Sequence, residues 1–438
     1  MTTEQPYISR IWAMAAGRQP EQTVFLQALE ALLEGVAPCL EERPYYEDMG
    51  LLERLSEPER VFSFPVIWRD DKNRIKTARG YHVRYSTVLG PCRGGVLFRE
   101  GLDISSVKAL ALERTLENSL AELPLGGSAS GADVDTAAMS GRESIRFCQS
   151  FMEGLYPCLA PPEAWLGELV PRRERGYLQG QYERLSALCG GRNDTVAPGP
   201  LSQARAGGYG LCYYAQHALR QHTGARLEGR TAVVAGRGGP AFWAGEKAVQ
   251  VGARVVAIGA RDGYLYASAG LPLSLLRAIA REPEIPLLLR AIRTPGVDYC
   301  QGPGLWDIPA DVFFLCDGTA PLGREEAERL AIHYPTGIFE GVPMACDGHA
   351  ARYLGGSGIL YSPGLASGAG GAALAYYQRH TPGMTYWEAD RQLRAVMGRV
   401  FQAAWDESVR AGSPGDLAHG ARAAAFCRVG EAMARKGI

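Results

Sequence analysis

Thr231-Ala-Val-Val-Ala235, Gly236-Arg-Gly-Gly-Pro-Ala241, residues 242–251 and Ala253-Arg-Val-Val-Ala-Ile258 follow one another in the chain. The first and last are short apolar runs rich in valine, which read as buried strands, and the apolar stretch between them reads as a helix. Strand, glycine turn, helix and strand make a βαβ unit, whose two strands lie parallel in one sheet. Pro240 suits the first helical turn, where its missing N–H is not needed. Further short strands are expected at 311–315, 337–340 and 359–361, and Pro363-Gly364 leads into a glycine-rich helix start at 368–371. This alternation predicts an α/β fold with a doubly wound sheet in the second half of the chain.

Gly236-x-Gly238 sits between a strand and a helix, the context of a dinucleotide-binding turn. Amides at a helix start are unpaired and the helix dipole is positive there, so a pyrophosphate can rest on them. The third glycine position of that fingerprint is Ala241, and no acidic residue closes the second strand to grip a ribose 2′-hydroxyl. That strand ends Gly259-Ala260-Arg261-Asp262. An arginine suits a 2′-phosphate, which points to NADP rather than NAD as the dinucleotide held by Gly236, Gly238, Gly239 and Arg261. The competing reading is the same fold with an empty site.

Upstream, residues 1–60 read as amphipathic helices, with Phe25, Leu26, Leu29, Leu32 and Leu33 at spacings of three and four. Val61-Phe-Ser-Phe-Pro-Val-Ile-Trp68 and Arg79-Gly-Tyr-His-Val-Arg-Tyr85 alternate as a hairpin around a polar turn. Gly90-Pro-Cys-Arg-Gly-Gly95 reads as a loop carrying one cation, and residues 103–121 as a helix capped by Asp103. Leu123-Pro-Leu-Gly-Gly-Ser-Ala-Ser-Gly131 then reads as a loop of the kind that holds one reactive side chain still, yet its centre, Ser128-Ala129-Ser130, has no titratable group. Serines in such a turn are expected to bond their own backbone. A helix follows over 140–159, and the turn signals at Gly190-Gly191 and Pro198-Gly-Pro200 place a domain boundary near residue 200. The tail, 386–436, reads as helical throughout.

With 438 residues, roughly two to three domains are expected. The formal net charge of −1, with 46 Lys and Arg spread along the chain, gives no reason to expect nucleic acid or a membrane surface as partner. No apolar run reaches the ~18 residues of a membrane span, and the polar, charged N-terminus does not read as a signal peptide. Ten cysteines without a Cys-x-x-Cys pair fit reduced thiols in the cytoplasm, with no metal site.

Taken together, Gly80-Tyr-His-Val-Arg-Tyr, Gly90-Pro-Cys-Arg-Gly-Gly, Leu123-Pro-Leu-Gly-Gly, Asp133-Val-Asp135, Gly208-Tyr-Gly210, the turn at Gly236, Glu340-Gly341, Pro363-Gly364 and Gly370-Gly371 resemble the hexameric glutamate dehydrogenase family over nearly the whole chain. The resemblance implies a substrate and assembly domain (1–200), a Rossmann-like cofactor domain (201–375), and a C-terminal helical segment (376–438) that packs back across the hinge. It also implies where the chemistry should be. The catalytic lysine falls on Ala129, and the catalytic aspartate on Gly167, with Glu168 beside it. The lysine for the substrate side-chain carboxylate is Arg93, and the lysine for its α-carboxylate is Glu117, where a carboxylate facing a carboxylate is repulsive. The serine near the substrate side chain is Ala375, and cofactor-side positions are Gly207, Ala320 and Gly368.

Acid, base and α-carboxylate anchor are therefore all changed, while the shape-keeping glycines and prolines stay. The expectation is a catalytically inactive homologue, a regulatory or structural subunit in a homo- or hetero-hexamer with an active glutamate dehydrogenase. The alternative is an NADP-dependent oxidoreductase for another substrate, drawing on Arg93, Glu117, Asp133, Glu168 and Arg172.

Overall fold

The alternation at 60–86 forms the expected hairpin in the computed structural model of the chain, Arg60 pairing with Arg84 and Arg69 with Ile75. The structure describes residues 5–159, 166–167, 172–189, 199–282, 285–318 and 320–437. The chain divides into two units, Met1–Ala197 with Phe426–Ile438, and Pro198–Ala425.

In the first unit, β1 (Arg60–Arg69), β2 (Ile75–Ser86), β3 (Cys92–Arg99), β4 (Gly126–Asp133) and β5 (Leu166–Gly167) form one sheet in the order β1-β2-β4-β3-β5. β1, β2 and β4 are antiparallel neighbours, and β3 runs parallel to β4 and β5. Phe64, Val66, Val96, Phe98 and Ala132 form a core with Phe147, Phe151 and Met152 of helix Gly141–Leu155. Helix Ile104–Leu120 packs on the other side of β4 and is capped as expected, the Asp103 carboxylate accepting from the Ser106 N–H at 2.8 Å.

Two expectations change here. The stretch at 123–131 is not a loop: Gly126–Asp133 is an inner strand with all but its last residue buried. Its glycines permit close approach. A Cβ on Gly127 would lie 2.3 Å from the Thr115 backbone nitrogen, so only a bare strand lets the helix pack this tightly. The presumed loop at 90–95 likewise becomes strand from Cys92 onward. Helix Thr23–Glu42 has the length and averaged composition of a membrane span, with a mean hydropathy of 1.4. Its apolar residues are core: Phe25, Leu29, Leu32, Leu33 and Val36 are all buried, and the Phe25 N–H donates to Ser105 Oγ at 2.9 Å.

In the second unit, β6 (Thr231–Ala235), β7 (Arg254–Ala260), β8 (Gly263–Tyr266), β9 (Asp298–Gln301), β10 (Val312–Leu315), β11 (Gly337–Glu340) and β12 (Leu360–Ser362) are ordered β12-β11-β10-β6-β7-β8-β9. The first five in that order are parallel, and β8 and β9 add an antiparallel edge that the sequence reading did not anticipate. One face packs Val233, Phe313, Leu315 and Ile338 against Ala327, Leu330, Ala350 and Leu354. On the other face, Tyr214 of helix Gln203–Thr223 meets the Phe339 ring edge-on at 6.3 Å. This is the expected doubly wound, Rossmann-like sheet. Its strand order reverses between β6 and β10, which places a crevice beyond Ala235 and Leu315. The tail is two helices, Tyr386–Arg410 and Leu417–Lys436, broken at Gly412-Ser-Pro-Gly415.

Candidate functional site

The register of the first sheet puts Val83, Ala129, Gly95 and Gly167 in one row across β2, β4, β3 and β5. The positions that the resemblance assigns to base and acid thus stand two strand spacings apart, ~10 Å between Cα atoms, with only a glycine between them. Long side chains there would meet over Gly95. The row instead offers an isopropyl group, a methyl group and two bare backbones, and no atom in it can carry a proton at neutral pH.

Arg93 is in register with Gly127, the residue covered by Thr115, so it stands on the sheet face under helix Ile104–Leu120 and is half-buried. Glu117 comes from that helix. It is not the lone repulsive carboxylate expected from the sequence: Arg114 Nη1 donates to Glu117 Oε1 at 2.7 Å, with both side chains at least nine-tenths buried. Three residues apart on a helix, the two charges face one another and largely cancel. Arg114 was missed in the sequence, although that spacing was the signal for it.

Asp133 is exposed and accepts from the Gly101 N–H at 2.6 Å, a loop contact. Glu168 lies outside the described residues, and Arg172 is described only as the backbone opening helix Arg172–Leu188. Ala375 is half-buried on helix Gly370–His380 of the second unit. A Cβ on Gly207 would meet Pro240 at an ordinary contact distance of 3.9 Å, whereas a Cβ on Gly368 would lie 2.6 Å from the Gly364 carbonyl oxygen. Gly368 therefore has no room for a side chain.

On the opposite face of β4, Ser130 does not bond its own backbone. Its Oγ is 2.8 Å from His82 Nδ1, a cross-strand pair between registered residues. The imidazole is 1% exposed, stacks on Phe62 at 5.8 Å, and leaves Nε2 without a hydrogen-bond partner. Burial first, and then the Arg84 charge, push its pKa down to about 4. An unfolded histidine takes up its proton near pH 6.5, so between these values the unfolded state binds more protons and stability falls as the pH drops. The loss is expected to reach about 3 kcal/mol below pH 4. Denaturant midpoints measured from pH 7 to pH 4 should therefore fall less steeply in His82→Gln than in the parent chain; equal slopes would remove His82 as the cause.

In the second unit a shallow cleft opens where the strand order reverses, lined by Ala235, Gly236, Arg261, Leu315, Asp317 and Ala320 among others. Gly236 has φ +141°, and a Cβ on it would lie 2.8 Å from the Cys316 carbonyl oxygen, so the turn requires glycine. Gly238 is the N-cap of helix Gly239–Gln250 and supplies no capping side chain, leaving the first helical amides open to an anion. Arg261 lines this cleft as expected, but it is engaged: Nη2 donates to Glu326 Oε2 at 2.7 Å and to the Pro321 carbonyl at 3.1 Å. A 2′-phosphate there has to displace or share that carboxylate.

Residues 199–437 match the family described as Glutamate/Leucine/Phenylalanine/Valine dehydrogenase, and residues 58–164 match the Glu/Leu/Phe/Val dehydrogenase dimerisation domain. The NADP-specific glutamate dehydrogenase of Escherichia coli (strain K12) is 32% identical over 436 residues, 96% of each chain. A solved glutamate dehydrogenase superposes with a TM-score of 0.86 at 29% identity, over 99% of this chain and 100% of the other. The hetero-hexameric glutamate dehydrogenase from Thermus thermophilus, in its leucine-bound form, gives 0.73 at 25% identity over 92% and 98%. On sequence and fold alike, the chain belongs to the Glu/Leu/Phe/Val dehydrogenase family.

Proposed function

We propose that this chain keeps the fold and assembly of its family without the oxidation of glutamate, and serves as a regulatory or structural subunit of an oligomer that includes an active dehydrogenase. The observation that carries this reading is the Val83–Ala129–Gly95–Gly167 row, which holds no group able to move a proton. Oxidative deamination needs a base to activate water and an acid to pass the proton on, and each such group typically contributes 10²–10⁴-fold. The purified chain is therefore expected to show no glutamate-dependent reduction of NADP above background; turnover of even 1 s⁻¹, roughly the low end of ordinary enzymes, would overturn the reading.

A place in a larger assembly is supported by the dimerisation-domain match and by the existence of a hetero-hexameric relative. The β1–β2 hairpin exposes Val61 at 44%, Ile67 at 54% and Ile75 at 63%. Such a face is costly to leave in water and suits burial against a homologous chain. Ile67→Asp is expected to shift the mass measured by mass photometry from oligomer to smaller species while leaving the folded content by circular dichroism unchanged.

NADP remains the nucleotide this chain is proposed to hold, given the glycine turn, the uncapped helix start and Arg261 at the cleft, together with an NADP-specific relative. When bound, the nicotinamide accepts or donates hydride; this chain's own residues would only hold and orient it. The second reading, an NADP-linked oxidoreductase for another substrate, draws on that retained cleft and on the half-buried Arg93. Turnover with any member of a panel of amino and 2-keto acids would favour it. The ten cysteines, all free thiols, are consistent with the cytoplasm as the proposed compartment.

A further inference from the structure

Cys39 and Cys427 are 388 residues apart in sequence, yet their Sγ atoms approach to 2.9 Å. Both belong to the first unit, one near the end of helix Thr23–Glu42 and the other on helix Leu417–Lys436, and both are buried, at 2% and 6%. The surroundings fix this geometry. Phe426 meets the Tyr46 ring edge-on at 5.8 Å, Gly430 lies against the same ring, and Lys436 Nζ donates to the Val88 carbonyl at 2.6 Å. Arg43 Nη1 is 3.7 Å from Cys427 Sγ.

These residues are not part of the dehydrogenase site or the nucleotide cleft. Two thiols in contact, beside a guanidinium, have the features of an oxidisable pair. The positive charge favours the thiolate, which is the reactive form. Bringing the sulfurs to bonding distance, ~2.0 Å, takes a movement of under about 1 Å. Burial pushes the Cys148 and Cys212 thiols up to about 12, although Arg173 and Lys247 pull in the opposite direction.

We propose that Cys39 and Cys427 form a redox modification site that peroxide closes into a disulfide, tying the C-terminal helix to the N-terminal helical layer. The Cys427 thiolate attacks one peroxide oxygen; an S–O bond forms, the O–O bond breaks, and the departing hydroxide is protonated to water. The Cys39 thiol, giving up its proton, then attacks the Cys427 sulfur. The S–S bond forms, the S–O bond breaks, and a second water leaves. Two thiols lose two electrons, and one hydrogen peroxide is reduced to two waters.

The test uses the full chain, stepwise hydrogen peroxide, alkylation of remaining thiols, and peptide mapping by mass spectrometry. The exposed Cys189 serves as the internal standard for simple accessibility. The linked peptide containing Cys39 and Cys427 is expected before half of Cys189 is oxidised, and reductant should reverse it. Arg43→Gln should slow the linkage by roughly tenfold, the change that one pKa unit makes in thiolate. Cys39→Ser should leave Cys427 trapped as a dimedone-reactive sulfenic acid. Oxidation of Cys189 with no linked peptide, or linkage at an unchanged rate in Arg43→Gln, would overturn the proposal; the first outcome needs no variant to fold.

Discussion

Glu117→Ala is expected to cost the first unit about 3–5 kcal/mol, the usual penalty for removing one partner of a buried ion pair. The Arg114 guanidinium is left in a nearly dry environment with its 2.7 Å partner gone, and a permanently charged group cannot escape by losing its proton. For a unit of this size, each kcal/mol moves the melting temperature by about 2–4 °C, so a drop of roughly 6–20 °C should be visible by calorimetry. Removing both charges, as Arg114→Met with Glu117→Leu, should recover most of that loss, because no lone charge remains buried. The comparison separates two explanations of the reversed charge at residue 117. If the single variant melts like the parent, the carboxylate faces a wet cleft and acts on ligands. If it melts far lower, the carboxylate is part of the helix packing.

The second large effect concerns chemistry. Ala129→Lys with Gly167→Asp puts base and acid back at the two ends of the row, across Gly95. Glutamate turnover is nevertheless expected to stay at background in that variant. A proton pair has nothing to act on unless the substrate is held against it, and the helix wall carries an internally neutralised pair at the position where the family resemblance implies a cation for the α-carboxylate. Adding Glu117→Lys and Arg114→Gln should supply that cation and raise turnover by at least about 10²-fold over the doubly substituted chain, the lower contribution of one positioned group. A steady-state assay of the three proteins side by side decides it. Appreciable activity in the Ala129→Lys, Gly167→Asp chain would show that residue 117 does not govern α-carboxylate binding.

Much of the architecture was readable because it depends on local signals. Strict alternation at 61–68 and 79–85 gave the hairpin, Asp103 announced a helix start with its capping oxygen, and the glycine turn after Ala235 lies at the cleft where the strand order reverses. The errors came from features that only tertiary contact decides. Glycines at 126, 127 and 131 look like a loop in one dimension; they form a strand because Thr115, Leu97 and Ser86 sit where side chains would be. β8 and β9 are four residues each, too short for periodicity to register. Ser130 found its partner 48 positions away, in His82, which no spacing rule connects to it. At the candidate site, the small residues at 129 and 167 were legible by position, but their common row required the parallel pairing of β3 with both neighbours.

The account stands most directly on what the chain associates with. Isolated from its native source under non-denaturing conditions, it should appear by native mass spectrometry in an oligomer whose mass requires a second member of the same family, one that carries both a lysine and an aspartate at the positions of Ala129 and Gly167. An oligomer made of this chain alone that oxidises glutamate at an ordinary enzymatic rate would contradict the account.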